Sequence, residues 1–109
     1  MNAIPEAGLR VVFHLRVPRE SHAEFLGAYE KIRYQVAAIE GHIEDQVCQS
    51  LDDPEEWIIT SEWETPEHFL NWEAGQEHRD IAGPMIGLSF DRRSLRYLVR
   101  RVTRHGEVV

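Results

Sequence analysis

The chain has 109 residues, 42% of them hydrophobic and 28% charged, with a net charge of −7. That balance suits one globular domain with one core and excludes a disordered body. An acidic chain repels phosphate backbones, so nucleic acid is not an expected partner.

No apolar run is long enough to span a membrane, and Met1–Gly8 lacks the basic start and apolar stretch of a signal peptide. The single cysteine, Cys48, cannot form an internal disulfide. It fits a reducing compartment and reads as core filler rather than a nucleophile. A cytoplasmic location is expected. A chain of this size buries only about two-thirds of its unfolded surface, so it would gain stability from a partner.

In chain order, residues 9–17 read as a strand. Val11, Phe13, Leu15 and Val17 share one face, and Val12, His14 and Arg16 share the other. Pro18 ends the pairing. A helix follows, with Ser21 and Glu24 spaced as a capping box. Its apolar stripe is Phe25, Tyr29, Ile32 and Val36, widened by Leu26 and Ala37. Gly41 stops the helix as a C′ residue. Residues 42–51 form a second strand and Asp52-Asp53-Pro54 a turn. Residues 56–63 form a third strand, completing a hairpin. Thr65 and Pro66 suit the cap and first position of a second helix. Gly75 divides that helix, a short piece runs from Gln76 to Ala82, and Gly83-Pro84 forces a loop. Residues 95–102 form the last strand.

The order β-α-β-β-α-β is the ferredoxin-like α+β pattern, over residues 9–102, with flexible tails at 1–8 and 103–109. One antiparallel sheet carries the helices on one face. The other face mixes Val12, Ile58 and Leu98 with His14, Arg16, Thr60, Glu62, Arg96 and Arg100. A half-apolar sheet face would gain by packing on a second copy, so a homodimer is expected. The arginines between 92 and 104 read as a solvated or interface strand face, with an anionic ligand as the alternative.

The helix-facing side should collect Phe13, Leu15, Ile59, Ser61, Trp63, Tyr97, Tyr29, Phe69 and Trp72. Each ring alone is explained by core packing. As a group they suit an apolar ligand pocket, with Trp63 and Trp72 closing two sides. Among the six histidines, none has a metal-binding spacing. His22 and His68 fall near helix starts and should face water. His14 lies on the outer face, His105 in the tail. His78 falls beside the pocket and is the best candidate base or hydrogen-bond donor. No phosphate loop or nucleophile elbow is present. Any chemistry must draw on the reactivity of the substrate.

The run Val11-Val12-Phe13-His14-Leu15-Arg16-Val17, the helix residues Phe25, Tyr29 and Ile32, and Ala38-Ile39-Glu40-Gly41-His42 are similar to the antibiotic biosynthesis monooxygenase family. The segment from Trp57 through Trp63-Glu64-Thr65-Pro66 to Phe69, then Trp72 and Glu77-His78-Arg79, extends the likeness. Glu40-Gly41 stands where the family has Pro-Gly. The resemblance implies a dimeric α+β barrel that oxidises a polycyclic aromatic molecule of the anthrone or quinol type. The co-substrate would be O2, with no metal or other cofactor. Such chemistry would serve aromatic polyketide or other natural-product biosynthesis.

By that resemblance Trp63, His78 and Tyr29 are the catalytic candidates, and Phe13, Ile59, Phe69 and Trp72 bind the small aromatic substrate. Ile59 and Phe69 stand where anthrone-oxidising members can carry asparagine and tyrosine. In a haem-degrading branch Trp72 would match a haem-distorting tryptophan, but the iron-ligating histidine would fall at Ala82, so that activity is not expected. A non-oxidative polyketide cyclase and a non-catalytic aromatic-binding dimer are the alternatives.

Overall fold

The structure is a computed structural model and describes residues 8–107. Four strands form one antiparallel sheet: β1 (Leu9–Arg16), β2 (His42–Gln49), β3 (Glu56–Trp63) and β4 (Phe90–Leu98). The helices are α1 (His22–Ala37), α2 (Pro66–Ala74) and α3 (Gln76–Ile86). The strand order is β2-β3-β1-β4, the ferredoxin-like α+β arrangement.

Register decides which side chains meet. Leu15 pairs with Trp57, Phe13 with Ile59, Val11 with Ser61 and Leu9 with Trp63. All face the helices, because paired residues share a face. Leu15, Val17, Phe25, Trp57 and Met85 form one buried cluster, so α1 and α3 both pack on the β1–β3 pair. Leu9, Val11, Trp63 and Phe69 form a second, under α2. On α1 the expected stripe holds at Phe25, Tyr29 and Ile32, joined by Ala28. Leu26 and Ala37 are instead exposed.

Several expected local features differ. The capping box at Ser21 and Glu24 does not form. Ser21 ends a short 3-10 turn (Arg19–Ser21) at φ −104° and ψ 0°, and its hydroxyl makes no capping bond. The backbone there is not extended, so the side chain is not aimed at the orphan N–H groups. Thr65 does cap α2: its Oγ1 accepts from the His68 N–H, with Pro66 first in the helix. Gly41 falls beyond the C′ position, in a β-turn closed by the His42 N–H donating to the Ile39 carbonyl. Its φ of +86° requires glycine.

Gly83-Pro84 is not a loop, because α3 continues through Pro84 to Ile86. An internal proline costs a helix about 3 kcal/mol. Here the helix ends two residues later, and burying Met85 against Phe25 and Trp57 offsets much of that cost. The last strand starts five residues earlier than expected and ends at Leu98. As an edge strand it pairs on one side only, so solvated Asp91, Arg92 and Arg93 can belong to it. A bulge lies between the Arg16–Phe90 and His14–Arg93 pairs, and Asp91 within it has φ +51°.

That register reverses the expected faces of β4. Arg96 pairs with Val11 and Leu98 with Leu9, on the helix side. Tyr97 pairs with Arg10 and so lies on the outer face. Arg100 lies beyond the strand. The outer face therefore carries Val12, Ile58, Leu95 and Tyr97, and Cys48 sits there opposite Ile58 rather than in the core. Among the described residues no helix is long and apolar enough to cross a membrane. Of the two expected tails, residues 1–7 and 108–109 lie outside the described residues.

Candidate functional site

Between sheet and helices lies a cavity of about 210 Å³. Its floor is built by cross-strand rows: Asp45, Ser61 and Val11 in one, Ile59, Phe13 and Ser94 in the next. Tyr29, Ile32 and Val36 of α1 form one wall. Phe69, Trp72 and Glu73 of α2, with His78, Ala82, Met85 and Ile86 of α3, form the other. Small side chains at Ser61, Ala82 and Ser94 leave the space that larger ones would fill.

All seven expected site residues line this one cavity: Trp63, His78, Tyr29, Phe13, Ile59, Phe69 and Trp72. Tyr97, expected with them, does not, since it lies on the opposite face. The rings form a continuous aromatic wall. Trp63 and Trp72 stack with centroids 5.4 Å apart and planes at 29°. Phe69 meets Trp63 edge-on at 5.5 Å. His78 meets Trp72 edge-on at 4.5 Å. Trp63 is fixed by burial and by its Nε1–H donating to Ser61 Oγ at 3.0 Å. The buried Nε1–H of Trp72 has no partner among the described residues, a deficit of about 1–3 kcal/mol for an unmet buried donor.

Apart from the floor serines, polar groups are few and sit at two ends. At one, Arg96 Nη2 donates to both carboxylate oxygens of Glu73, at 2.8 and 3.1 Å, and its guanidinium lies over Phe69. His78 is near this end. Burial holds its pKa below the ordinary 6.5, with Glu73 opposing and Arg79 adding to the effect. Burial thus favours the neutral imidazole, whose unprotonated ring nitrogen can accept a hydrogen bond.

At the other end Tyr29 Oη donates to Asp45 Oδ2 at 2.6 Å, and His42 Nε2 lies 2.9 Å from Asp45 Oδ1. Burial, then the bond to Asp45, pushes the Tyr29 pKa up to about 12. Tyr29 is thus a hydrogen-bond donor and not a base at neutral pH. Sequence reading missed Asp45 and His42. They are three residues apart, and strict alternation puts such residues on opposite faces. A bulge between the His42–Trp63 and Glu44–Glu62 pairs inserts Ile43 and returns both side chains to the helix side.

The histidines expected in water are instead half-buried. His22 packs edge-on to Trp57 at 5.1 Å. His68 lies against Gly41, with its Nδ1 2.8 Å from Thr65 Oγ1. Among the described residues no group of three or more His, Cys, Asp or Glu side chains is placed to hold a metal ion.

A ferredoxin-like α+β domain with an aromatic cavity between sheet and helices is the class these observations define. The chain belongs to the antibiotic biosynthesis monooxygenase family, which it matches over residues 8–83. It is 45% identical over 106 residues to a 42.8 kDa protein in the whiE locus of Streptomyces coelicolor, covering 97% of this chain and 27% of that protein. It is 37% identical over 102 residues to the polyketide synthase CurD of Streptomyces cyaneus, covering 94% of this chain and 27% of that protein. The chain thus spans about a quarter of the length of these curated relatives. Its fold is similar to that of SnoaB, a cofactor-independent oxygenase of Streptomyces nogalater, with a TM-score of 0.70 at 17% identity, covering 92% of this chain and 98% of that one.

Proposed function

We propose that this chain acts in aromatic polyketide biosynthesis as a cofactor-independent monooxygenase, oxidising an anthrone- or quinol-type substrate with O2. The observation that carries this reading is the His78 imidazole set edge-on to Trp72 in the wall of an apolar aromatic cavity. An anthrone is acidic at the carbon between its rings. His78 accepts that proton, and the electron-rich carbanion then passes an electron to O2 directly. One oxygen atom enters the product as a carbonyl, and the other leaves as water with two hydrogens from the substrate. Trp63, Phe69, Trp72, Phe13 and Ile59 hold the flat substrate and exclude water, which strengthens each polar contact inside. Tyr29 keeps its proton and orients the substrate.

The names of the relatives, a polyketide synthase and an oxygenase that needs no cofactor, support the reading. So do the apolar residues Val12, Ile58, Leu95 and Tyr97 on the mixed outer face, which suit a homodimer, since covering them removes apolar surface from water. Oxygen uptake and product mass with an anthrone panel, without added metal or flavin, test the proposal. The expected product gains one oxygen and loses two hydrogens. No uptake across the panel overturns it.

Ile59 and Phe69 favour a second reading, because both present hydrocarbon where a hydroxyl or amide could have steadied a peroxide. In that reading the same cavity folds a polyketide chain for cyclisation, or holds an aromatic ligand without reaction. A cyclised product contains no oxygen atom from O2, and a pure binding protein leaves its ligand unchanged.

A further inference from the structure

The polar end of the cavity opposite His78 has a directional preference that its hydrogen bonds impose. Tyr29 Oη–H is committed to Asp45 by a 2.6 Å bond, in the short range of a hydroxyl donating to a carboxylate. The second carboxylate oxygen accepts from His42 Nε2 at 2.9 Å. A carboxylate has no proton to give, so both bonds run toward Asp45. The His42 side chain is 4% exposed and that of Asp45 is 11% exposed. His42 is also braced edge-on by Trp63 at 5.3 Å. The chain is therefore fixed from behind, and its front members, Tyr29 and Asp45, line the cavity. What they have left to offer is lone pairs: one set on Tyr29 Oη, others on Asp45. The raised Tyr29 pKa keeps that proton in place between them.

We propose that the Tyr29–Asp45 pair, positioned by His42, is a recognition site for a free phenolic or enolic hydroxyl at one edge of an aromatic ligand. An O–H group donates to the waiting lone pairs. A methyl ether or a carbonyl at the same edge presents lone pairs to lone pairs and leaves the buried acceptors unmet. A site built to bond a hydroxyl discriminates strongly against the analogue that lacks it. This inference rests on the reading that the cavity holds an aromatic molecule, and it adds which functional group that molecule must carry.

The test is the affinity ratio of two ring-matched probes, 2-naphthol and 2-methoxynaphthalene, measured by titration calorimetry on the wild-type chain and on Tyr29→Phe, Asp45→Asn, His42→Leu and His42→Gln. The wild type is expected to prefer the naphthol about ten-fold or more, the scale of a hydrogen bond to a charged network. Asp45→Asn should cut the preference to below about three-fold, whereas Tyr29→Phe frees Asp45 Oδ2 to accept the naphthol hydroxyl and should leave the preference at about ten-fold or above. His42→Leu should reduce it, and His42→Gln, which can still donate to Asp45, should restore it. A merely structural role for His42 would weaken both probes alike and leave the ratio unmoved. Equal wild-type affinities, or a preference untouched by Asp45→Asn, overturns the inference while the cavity reading stands. Failure of both probes to bind the wild type overturns both. If Asp45→Asn does not fold, as judged by circular dichroism, the His42→Leu and His42→Gln pair decides, since the first removes the donor that holds the Asp45 carboxylate in place and the second returns it.

Discussion

The indole of Trp72 lies over that of Trp63 at 5.4 Å, so a residue ending β3 and a residue within α2 form one surface of the cavity. The pairing ties the sheet to the helix that follows it. It also makes the cavity wall and the second core cluster one structure, because Trp63 is 1% exposed and packs on Leu9, Val11 and Phe69.

Trp63→Ala should therefore cost about 3–5 kcal/mol, the range for emptying a buried aromatic site. Trp72→Ala should cost less, because that residue is only half-buried. Urea unfolding measures both. Stacked indoles also couple optically, so the exciton signal in circular dichroism should vanish with either Trp→Phe change. A signal that survives Trp72→Phe would contradict the stacking.

Gly41 is constrained twice. Its φ is +86°, and a Cβ placed there would lie 2.2 Å from His68 Cγ. Left-handed backbone costs a residue with a Cβ about 1–2 kcal/mol, and the ring must also move. Gly41→Ala should destabilise by about 2 kcal/mol or more. Adding His68→Ala removes the collision but not the backbone strain. The double variant should thus lose less than the two single losses summed, a coupling that a double-mutant cycle reads.

His78 should make stability depend on pH. Its folded pKa lies below 6.5, so in that window the unfolded chain binds more protons than the folded one. Stability then rises with pH. The residue has no effect well above 6.5, and it destabilises the fold as pH falls through 6.5 toward the folded value. His78→Asn should lose less stability than the wild type between pH 8 and pH 5.5. Urea midpoints at the two pH values give the comparison, in which the other histidines cancel. Equal losses would show that His78 is not desolvated.

Thr65 should be worth about 1 kcal/mol as an N-cap. Its Oγ1 accepts from the His68 N–H and also meets the His68 ring nitrogen. Thr65→Ala should show that loss in thermal or urea unfolding, and Thr65→Ser should retain most of the stability. If the two variants unfold alike, the methyl group and not the hydroxyl was what mattered.

Periodicity made most of the architecture legible. Alternation at Val11, Phe13 and Leu15, the three-four spacing of Phe25, Tyr29 and Ile32, and the Thr65-Pro66 start depend on near neighbours in the chain, so short-range sterics and capping declare them. The same spacing put Phe13, Tyr29, Ile59, Trp63, Phe69 and Trp72 on the side where the structure has its cavity, with His78 beside them. It failed where long-range packing outweighs local preference. Met85 holds α3 together across Pro84. Pairing to β1 sets the faces of β4 and turns Tyr97 outward.

The amino-acid sequence by itself determined the element order and the aromatic character of the space between sheet and helices, since both follow from residue type and from periods of two and 3.6. Only the tertiary structure decided which polar groups enter that space. A one-residue bulge at Ile43 places His42 beside Asp45, and the packing of α1 brings Tyr29 onto Asp45. A bulge is fixed by pairing with a distant strand, and no pattern confined to its own strand carries that information.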